Sequence, residues 1–267
     1  MKVITFANYT GGAGKSTSST AMATILKQMG FRTLFIDADK QRNSTGYMNC
    51  NEPNALTLYD VMDQHRPLGN IREAIQHCDT CDVIAGDTML DTLNSQLALL
   101  NKKIPFSGLK VLKNALSTIS DEYDYCVIDT SYVVDEILFA VMAATDEIIV
   151  PLDVDVKAIQ GFANMNEDIK KVRAEVNPGL KVKGCLLTRI NPNLRVKNTD
   201  EFRTAAEVFL RQIDPTLKLF GTMIRTTEFV RASHNKGESL ILKYPKSNAA
   251  QDYTAFVKEY LETATEE

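Results

Sequence analysis

A glycine-rich stretch joins the first predicted strand to the first predicted helix, and it constrains the fold more than any other feature. Glycine lets the backbone turn tightly and direct several N–H groups into one small volume. A helix that begins at the end of such a loop adds the positive end of its dipole, which attracts anions. The feature therefore predicts a strand, a phosphate-binding loop and a helix, in that order. The stretch reads Asn8-Tyr9-Thr10-Gly11-Gly12-Ala13-Gly14-Lys15-Ser16-Thr17.

The side chains of this loop suit a nucleotide and its metal ion. Lys15 supplies a formal positive charge, and the hydroxyl of Ser16 suits Mg²⁺. The general pattern G-x-x-x-x-G-K-[ST] expects glycine where the chain has Tyr9, whereas the inner pattern GGxGK[ST] is complete. The alternative is a glycine-rich turn with a surface lysine. The predicted phosphate-binding residues are Gly11, Gly12, Ala13, Gly14, Lys15, Ser16 and Thr17.

Apolar runs alternate with amphipathic stretches along the rest of the chain. The predicted strands are 3–7, 33–36, 82–85, 125–128, 147–151, 182–188 and 218–221. The predicted helices are 15–29, 89–101, 109–119, 157–175, 198–212 and 249–263. This alternation is typical of an α/β fold, with a mostly parallel sheet and helices on both faces. No repeat or linker divides the sequence, so we expect a single domain over residues 1–267.

Composition narrows the functional classes. Hydrophobic residues make up 44% and charged residues 24% of the chain, as in ordinary globular proteins. The net charge of −4 means that the surface as a whole does not attract nucleic acid, although a local basic patch can. No apolar run approaches the ~20 residues of a membrane-spanning helix. The N-terminus lacks the layout of a signal peptide, so we expect a cytoplasmic protein.

The five cysteines are an odd number for a chain of this size, which argues against a disulfide framework. Cys78 and Cys81 form a C-x-x-C motif, but no second pair completes the about four ligands of a zinc site. We interpret the motif as a loop dithiol whose members are close in sequence. Cys126 and Cys185 lie inside predicted strands and are expected in the core.

Three aspartates follow predicted strands. Asp37 and Asp39 end the second strand, and Asp129 ends another. In an open α/β sheet, ligands bind at the carboxyl ends of the strands, so all three should face the phosphates. Asp129 fits the role of holding Mg²⁺, while one of Asp37 and Asp39 supports the metal and the other orients a water toward the γ-phosphate. The alternative for each is a helix cap or a turn residue.

These motifs resemble those of the ParA/MinD family of deviant Walker ATPases. That family has a first motif like K-G-G-x-G-K-[ST], a second like D-x-D-P-Q-x-N and a third like D-Y-x-x-I-D-T-P. The corresponding segments here are Thr10–Ser16, Asp37–Asn43 and Tyr123–Thr130. Leu186–Pro192, Arg231–Gly237 and Tyr244–Ser247 are similar to the later signatures of the family, so the resemblance covers nearly the whole chain.

The resemblance implies a P-loop NTPase architecture of the SIMIBI type and an ATP-dependent sandwich dimer that hydrolysis resets. It implies that ATP and Mg²⁺ are the cofactors. By position, Lys15 and Asp39 match the catalytic residues, and Asp37 the supporting one. Ser16, Asp129 and Asp37 match the metal site. Arg189 and Asn191 stand where adenine contacts are expected.

Thr10 is the main departure from the family. The signature lysine of the family stands there and reaches across the dimer to the partner's phosphates, which threonine cannot do. Lys157 is the first candidate substitute, Lys40 the second, and Arg42 follows closely. The alternative for each is a solvated surface cation.

Two branches of the family fit this chain poorly. MinD-like members end in a basic amphipathic helix, whereas residues 259–267 here are rich in carboxylates, so we expect no membrane recruitment. Iron-protein relatives need paired cysteines for a cluster, which Cys126 and Cys185 do not offer from within strands.

The sequence looks closest to short ParA-type partition ATPases, which bind DNA without sequence preference. We therefore expect non-specific double-stranded DNA and a stimulatory ParB-like adaptor as partners, with nucleoid association when ATP is bound. The candidate DNA contacts, which are otherwise solvated surface cations, are Arg225, Arg231, Lys236, Lys243 and Lys246.

Two functional hypotheses follow. In the first, the protein is a slow, partner-stimulated ATPase that positions a plasmid, a chromosome region or other cargo. In the second, it is an ATP-binding localisation scaffold with little or no hydrolysis. Intact Lys15, Asp37, Asp39 and Asp129 favour the first, and Thr10 favours the second.

Overall fold

The computed structural model of the protein describes residues 1–50, 52–64, 71–153, 156–191 and 196–265. The strands are β1 Lys2–Phe6, β2 Thr33–Ala38, β3 Ile75–His77, β4 Asp82–Ile84, β5 Tyr125–Thr130, β6 Glu147–Asp153, β7 Lys181–Ile190 and β8 Leu219–Arg225. The helices are α1 Lys15–Gln28, α2 Asn43–Tyr47, α3 Leu58–Met62, α4 Leu90–Lys103, α5 Val111–Ser117, α6 Glu136–Ala144, α7 Val156–Glu175, α8 Val196–Ile213, α9 Glu228–Lys236, α10 Leu240–Lys243 and α11 Asn248–Thr265. Short 3₁₀ turns cover Ile71–Ala74 and Gly108–Lys110.

The described strands form one sheet in the order β3-β4-β2-β5-β1-β6-β7-β8. Every neighbouring pair is parallel except β3 with β4. The carboxyl ends of the parallel strands therefore share one edge of the sheet, here called the ligand edge. The loops after β1, β2, β5 and β7 meet there, which brings the predicted site residues to one region.

Side chains on successive strand residues point to opposite faces, and both faces are covered. On β1, Ile4 and Phe6 are buried in the cluster that contains α1 and α11, while Val3 joins the cluster of α3 to α6. A third cluster lies under α7 and α8. The mostly parallel sheet with helices on both faces that the sequence predicts is thus confirmed.

The predicted elements differ from the observed ones mainly at their ends and in the short pieces. The predicted strand 33–36 extends to Ala38, and the strand 218–221 is observed as Leu219–Arg225. The sequence reasoning missed β3, α2, α3, α6, α9 and α10. Within the described residues, no helix is both long enough and apolar enough to span a membrane.

The cysteines differ from the prediction. Cys78 pairs with Cys50 as a disulfide, with Cα atoms 6.0 Å apart, and not with Cys81. Cys81 is buried and free. The loop-dithiol interpretation is therefore wrong, because the chain between β3 and β4 turns Cys78 toward the segment after α2. Cys126 and Cys185 are fully buried, as predicted.

The outer edge of β8 is covered by side chains of α11. The Glu259 carboxylate accepts hydrogen bonds from the N–H groups of Gly221 and Thr222. The Asp252 carboxylate accepts one from the N–H of Arg225, at 2.9 Å. Backbone donors at this end of the sheet are thus satisfied by carboxylates from a helix.

Candidate nucleotide-binding site

The loop between β1 and α1 has the shape of a phosphate cradle. Gly12 and Gly14 adopt φ values of 78° and 85°, in the left-handed region that glycine enters without steric cost. Helix α1 begins at Lys15, and among the described residues no side chain caps its N-terminus. The first N–H groups of α1 therefore stay available to an anion at the ligand edge.

Lys15 is held at the centre of the loop. Its side chain is only 7% exposed, and its Nζ donates to the carbonyl oxygens of Asn8 and Thr10 at 3.0 Å each. Burial lowers the pKa of Lys15, and the nearby carboxylates of Asp129 and Asp39 oppose that change. The ammonium group is thus oriented by backbone oxygens before any phosphate binds.

The residues at the end of β7 clamp the loop from the other side. The Thr188 hydroxyl donates to the carbonyl of Ala13 at 2.9 Å. The Arg189 guanidinium donates to the carbonyl of Gly12 at 3.1 Å and pairs with Asp153 at 2.9 Å. Arg189 lines the cavity beside the loop, whereas Asn191 is exposed and does not line it. The structure therefore places only Arg189 of the two predicted adenine contacts at the cavity.

Asp37 and Asp129 lie side by side on the neighbouring strands β2 and β5, and both are fully buried. Burial and repulsion from Asp129 raise the pKa of Asp37 to about 7. Burial raises the pKa of Asp129 to about 6, against the opposing effects of the Ser44 and Ser16 hydroxyls and of Lys15. Two buried carboxylates this close repel each other and lack contact with water. Keeping both charged is therefore unfavourable unless a cation lies beside them.

Helix α2 supplies the hydrogen bonds that hold this acidic pair. Thr45 donates its N–H and its hydroxyl to Asp37 Oδ2, at 2.8 and 2.7 Å. The N–H of Asp39 donates to the other oxygen of Asp37. The Ser44 hydroxyl donates to Asp129 Oδ2. Both oxygens of Asp37 thus accept hydrogen bonds from the protein, and Asp37 does not line the cavity, which suits a supporting role.

The Asp129 carboxylate has an oxygen that suits a metal ion. Asp129 Oδ1 is buried and has no hydrogen-bond partner among the described residues. An unpaired buried carboxylate oxygen is unfavourable, and Mg²⁺ prefers oxygen ligands. Ser16 lies on the first turn of α1, beside the Asp129 carboxylate. The donors at this point therefore fit Mg²⁺, with Asp129 and Ser16 as its nearest protein groups.

Asp39 differs from the buried pair because it is partly exposed and lines the cavity. Its Oδ1 accepts the N–H of Gln41 at 3.0 Å, which fixes the carboxylate at the cavity wall. Gly86 lies directly behind this turn, since a Cβ at Gly86 would come within 2.9 Å of the Asp39 carbonyl. The catalytic position that the sequence predicts is thus open to a ligand.

The cavity has a volume of about 580 Å³ and extends from the phosphate loop toward α9. Its far wall contains Tyr47 and His234, whose rings stack with centroids 4.1 Å apart. Burial lowers the pKa of His234. Tyr47 stands alone after a short polar segment and belongs to no motif. His234 lies within Arg231–Gly237, but the resemblance of that segment assigns no role to the histidine itself.

Thr10 lies against α7. A Cβ at Gly161 would come within 2.3 Å of the Thr10 hydroxyl oxygen, so glycine is needed for α7 to approach the loop this closely. Lys157 belongs to α7, but its side chain lies outside the described residues. Lys40 pairs with both carboxylate oxygens of Asp91 at 3.0 Å. Arg42 is exposed and does not line the cavity.

The predicted DNA contacts do not share one environment. Arg225 forms a two-point ion pair with Asp252 and lines the cavity, so its charge is already engaged. Arg231 and Lys236 are exposed on α9, Lys243 ends α10, and Lys246 is exposed just beyond it. Arg231 lines the cavity as well, so of the predicted DNA contacts Lys236, Lys243 and Lys246 are the ones exposed away from it.

Several contributors to the site escaped the sequence reasoning. The available signals in the sequence were Gly86, whose position leaves no room for a Cβ, and the serine and threonine that follow Asn43. The residues that the structure adds are Ser44, Thr45, Tyr47, Gly86, Thr188 and His234.

Comparisons with known proteins agree with this arrangement. Residues 1–182 match the AAA_31 family, described as an AAA domain. The sporulation initiation inhibitor protein Soj of Bacillus subtilis is 25% identical, over 97% of each chain. The chromosome partitioning protein ParA of Caulobacter vibrioides is 28% identical, over 98% of this chain and 94% of ParA.

A solved structure of a similar protein also agrees with this arrangement. The ATP complex of the D38A form of McdA from Cyanothece superposes with a TM-score of 0.81 and 25% identity. The match covers 98% of this chain and 96% of McdA. Since the family match spans most of the chain, and the loop, the carboxylates and the sheet agree with it, the chain belongs to the AAA_31 family and is a P-loop ATPase of the ParA/MinD type.

Proposed function

We propose that this protein is a ParA-like ATPase that forms an ATP-dependent sandwich dimer, binds DNA without sequence preference and positions plasmid, chromosome or other cargo. The observation that carries the proposal is that Lys15 and Asp39 line one cavity, while the buried Asp37–Asp129 pair lies at the ends of the adjacent strands β2 and β5. Similarity to Soj and ParA over nearly the whole chain supports the positioning role.

The residues divide the chemistry of ATP hydrolysis among them. The N–H groups of Gly11 to Thr17 and the Lys15 ammonium bind the phosphates, which neutralises charge that grows on the γ-phosphate. Asp39 orients the attacking water from the cavity wall, and Asp37 fixes the Asp39 turn through its hydrogen bond to the Asp39 N–H. When bound, Mg²⁺ supplies charge neutralisation and orientation of the phosphate oxygens, held by Ser16 and Asp129.

DNA binding is assigned to the exposed cations of the C-terminal third. Arg231, Lys236, Lys243 and Lys246 are exposed on or beside α9 and α10. Lysine and arginine contacts to phosphates bind duplex DNA irrespective of sequence, and salt weakens them. Because the protein as a whole carries a net charge of −4, such binding is confined to the surface around these cations. In this scheme the protein is cytoplasmic, joins the nucleoid when ATP is bound, and is released when a ParB-like adaptor stimulates hydrolysis.

Thr10 supports a second candidate, an ATP-binding localisation scaffold with little or no hydrolysis. The side chain at this position is short and uncharged, and it lies against Gly161 of α7. A dimer that lacks the family's trans lysine needs another cation. Arg42 is a stronger candidate than Lys40, because Lys40 is paired with Asp91 while Arg42 is exposed at the ligand edge.

The decisive experiment compares ATP turnover of the wild type and Asp39→Ala, with and without double-stranded DNA, while light scattering follows dimerisation. We expect slow turnover in the wild type, no turnover in Asp39→Ala, and an ATP-trapped Asp39→Ala dimer that holds DNA. Asp121→Ala, at an exposed position outside the cavity, serves as the matched control and should behave as the wild type.

The two candidates give different outcomes. ATP binding with no turnover and no DNA response in either protein would exclude the switch and favour the scaffold. If turnover is present, Arg42→Ala and Lys157→Ala then test which cation replaces the signature lysine, since the correct one should reduce turnover and dimerisation together.

A further inference from the structure

His234 connects three elements that meet at the wall of the cavity. It lies in the last turn of α9. Its Nε2 is 3.1 Å from the Thr17 hydroxyl, on the first turn of α1. Its ring lies flat on the ring of Tyr47, with an interplanar angle of 7°. A ring held by a hydrogen bond at its edge and by stacking on its face has little freedom to move independently of its neighbours.

Both neighbours of His234 belong to the nucleotide site. Thr17 lies on the first turn of α1, directly after Lys15 and Ser16. Tyr47 ends α2, the helix whose Ser44 and Thr45 hold Asp129 and Asp37. A phosphate chain and a metal ion that bind at the loop and the acidic pair therefore act on both contacts of the same histidine.

The helix that carries His234 also carries exposed cations. Arg231, which also lines the cavity, lies one turn before His234, at i−3, and Lys236 lies two residues after it. Gly237 closes the helix with φ of 61°, which fixes its end. A nine-residue helix moves as a unit, so a shift of the His234 ring is transmitted to Arg231 and Lys236.

We propose that His234 is a positioning residue that couples nucleotide in the cavity to the placement of α9. With ATP bound, Thr17 and Tyr47 hold the ring in one position, and α9 presents Arg231 and Lys236 to DNA phosphates. Without nucleotide the two contacts are held less firmly, and α9 samples other positions. The inference rests on the proposed function for its DNA readout, and His234 itself touches none of the reacting atoms.

Three substitutions separate the two contacts. His234→Gln keeps a polar group toward Thr17 but removes the stacking ring. His234→Phe keeps the ring but removes the hydrogen bond, and His234→Leu removes both. His77→Ala is the matched control, because the His77 side chain is 80% exposed on the short edge strand β3.

The first readout compares ATP affinity with the gain in DNA affinity that a non-hydrolysable ATP analogue produces. We expect His234→Leu to bind the analogue within about threefold of the wild type, while the gain in DNA affinity falls about tenfold. His234→Gln and His234→Phe should give intermediate losses. A full gain in all three variants would overturn the inference. Loss of analogue binding in all three would also overturn it, because His234 would then be part of the binding site itself.

The second readout does not depend on DNA. Amide hydrogen exchange across residues 229–237 should slow on addition of the analogue in the wild type and in His77→Ala, but not in His234→Leu. If the wild type shows this protection without any DNA response, the DNA-binding function is wrong and the coupling to α9 stands. Protection of α9 that is equal in the wild type and His234→Leu would refute the coupling whatever the DNA result.

Discussion

Thr45 shows how a small side chain stabilises a buried acid. Its hydroxyl donates to Asp37 Oδ2 at 2.7 Å and accepts the N–H of Gly86 at 3.0 Å. Asp37 is completely buried, so water cannot replace either bond. The threonine therefore joins β2 to the turn after β4 at the point where Asp39 must be held.

We predict that Thr45→Val lowers the free energy of unfolding by about 2 kcal/mol, because a hydrogen bond to a buried carboxylate is lost without a change in shape. Urea denaturation measures this value. Thr254→Val is the matched control, since the Thr254 hydroxyl donates to the preceding turn of α11 and its loss should cost less than about 1 kcal/mol. Equal losses in the two variants would contradict the role given to Thr45.

At this scale the sequence could predict the charged members of the site and not their supports. Lys15, Asp37, Asp39 and Asp129 stand in motifs or at the ends of apolar strands, and the structure brings all four to the ligand edge. Ser44 and His234 act through contacts with residues far away in the chain, and Thr45 acts through a hydrogen bond that forms only when α2 folds back onto β2. No local pattern distinguishes such a hydroxyl or imidazole from a solvated one.

Among the secondary structure elements, those with many apolar residues were predictable, while short polar ones were not. Strands β1, β5 and β6 are nearly continuous apolar runs, and each was predicted within a few residues. Helix α2 has only five residues and no apolar face, and strand β3 has only three residues. These two are held by tertiary contacts, β3 by pairing with β4 and α2 by the acidic pair, so their own sequences contain little signal.

The disulfide between Cys50 and Cys78 fixes the segment after α2 to the end of β3. It closes a loop with a sequence separation of 28. We predict that reduction lowers the free energy of unfolding by about 3 kcal/mol, because the unfolded chain regains the entropy of that loop. Guanidinium denaturation with and without dithiothreitol measures the difference. Cys50→Ala should show no response to the reductant, and an unresponsive wild type would argue against the pairing.

Over the whole molecule, the site is a product of strand order. Residues 8–17, 37–47, 129, 188–189 and 234 come together because β2, β5, β1 and β7 all end at the ligand edge, with α9 beside it. The sequence predicted that the sheet is mostly parallel, which was enough to place the loop and the aspartates near each other. It did not predict that α9 would close the cavity, since that depends on how the chain turns after the last strand.

The hydrogen bonds at the edge of β8 should protect the protein from aggregation. Glu259 occupies the N–H groups of Gly221 and Thr222, so Glu259→Ala should leave two strand donors unpaired. We predict faster aggregation on warming, measured by light scattering, with little change in ATP binding. Glu175→Ala removes an exposed carboxylate at the end of α7 and is the matched control. Similar aggregation of both variants would mean that lost charge, and not an opened edge, is responsible.

The carboxylates that cover β8 also determine how damage to α11 should be interpreted. Deleting or distorting that helix would uncover a strand edge able to template intermolecular β-sheet, so insoluble material would follow even with an intact phosphate loop. Loss of activity in such variants would then reflect precipitation. Helix α11 thus prevents strand pairing between molecules by covering the edge of β8. This protection becomes more important where many copies gather at high local concentration.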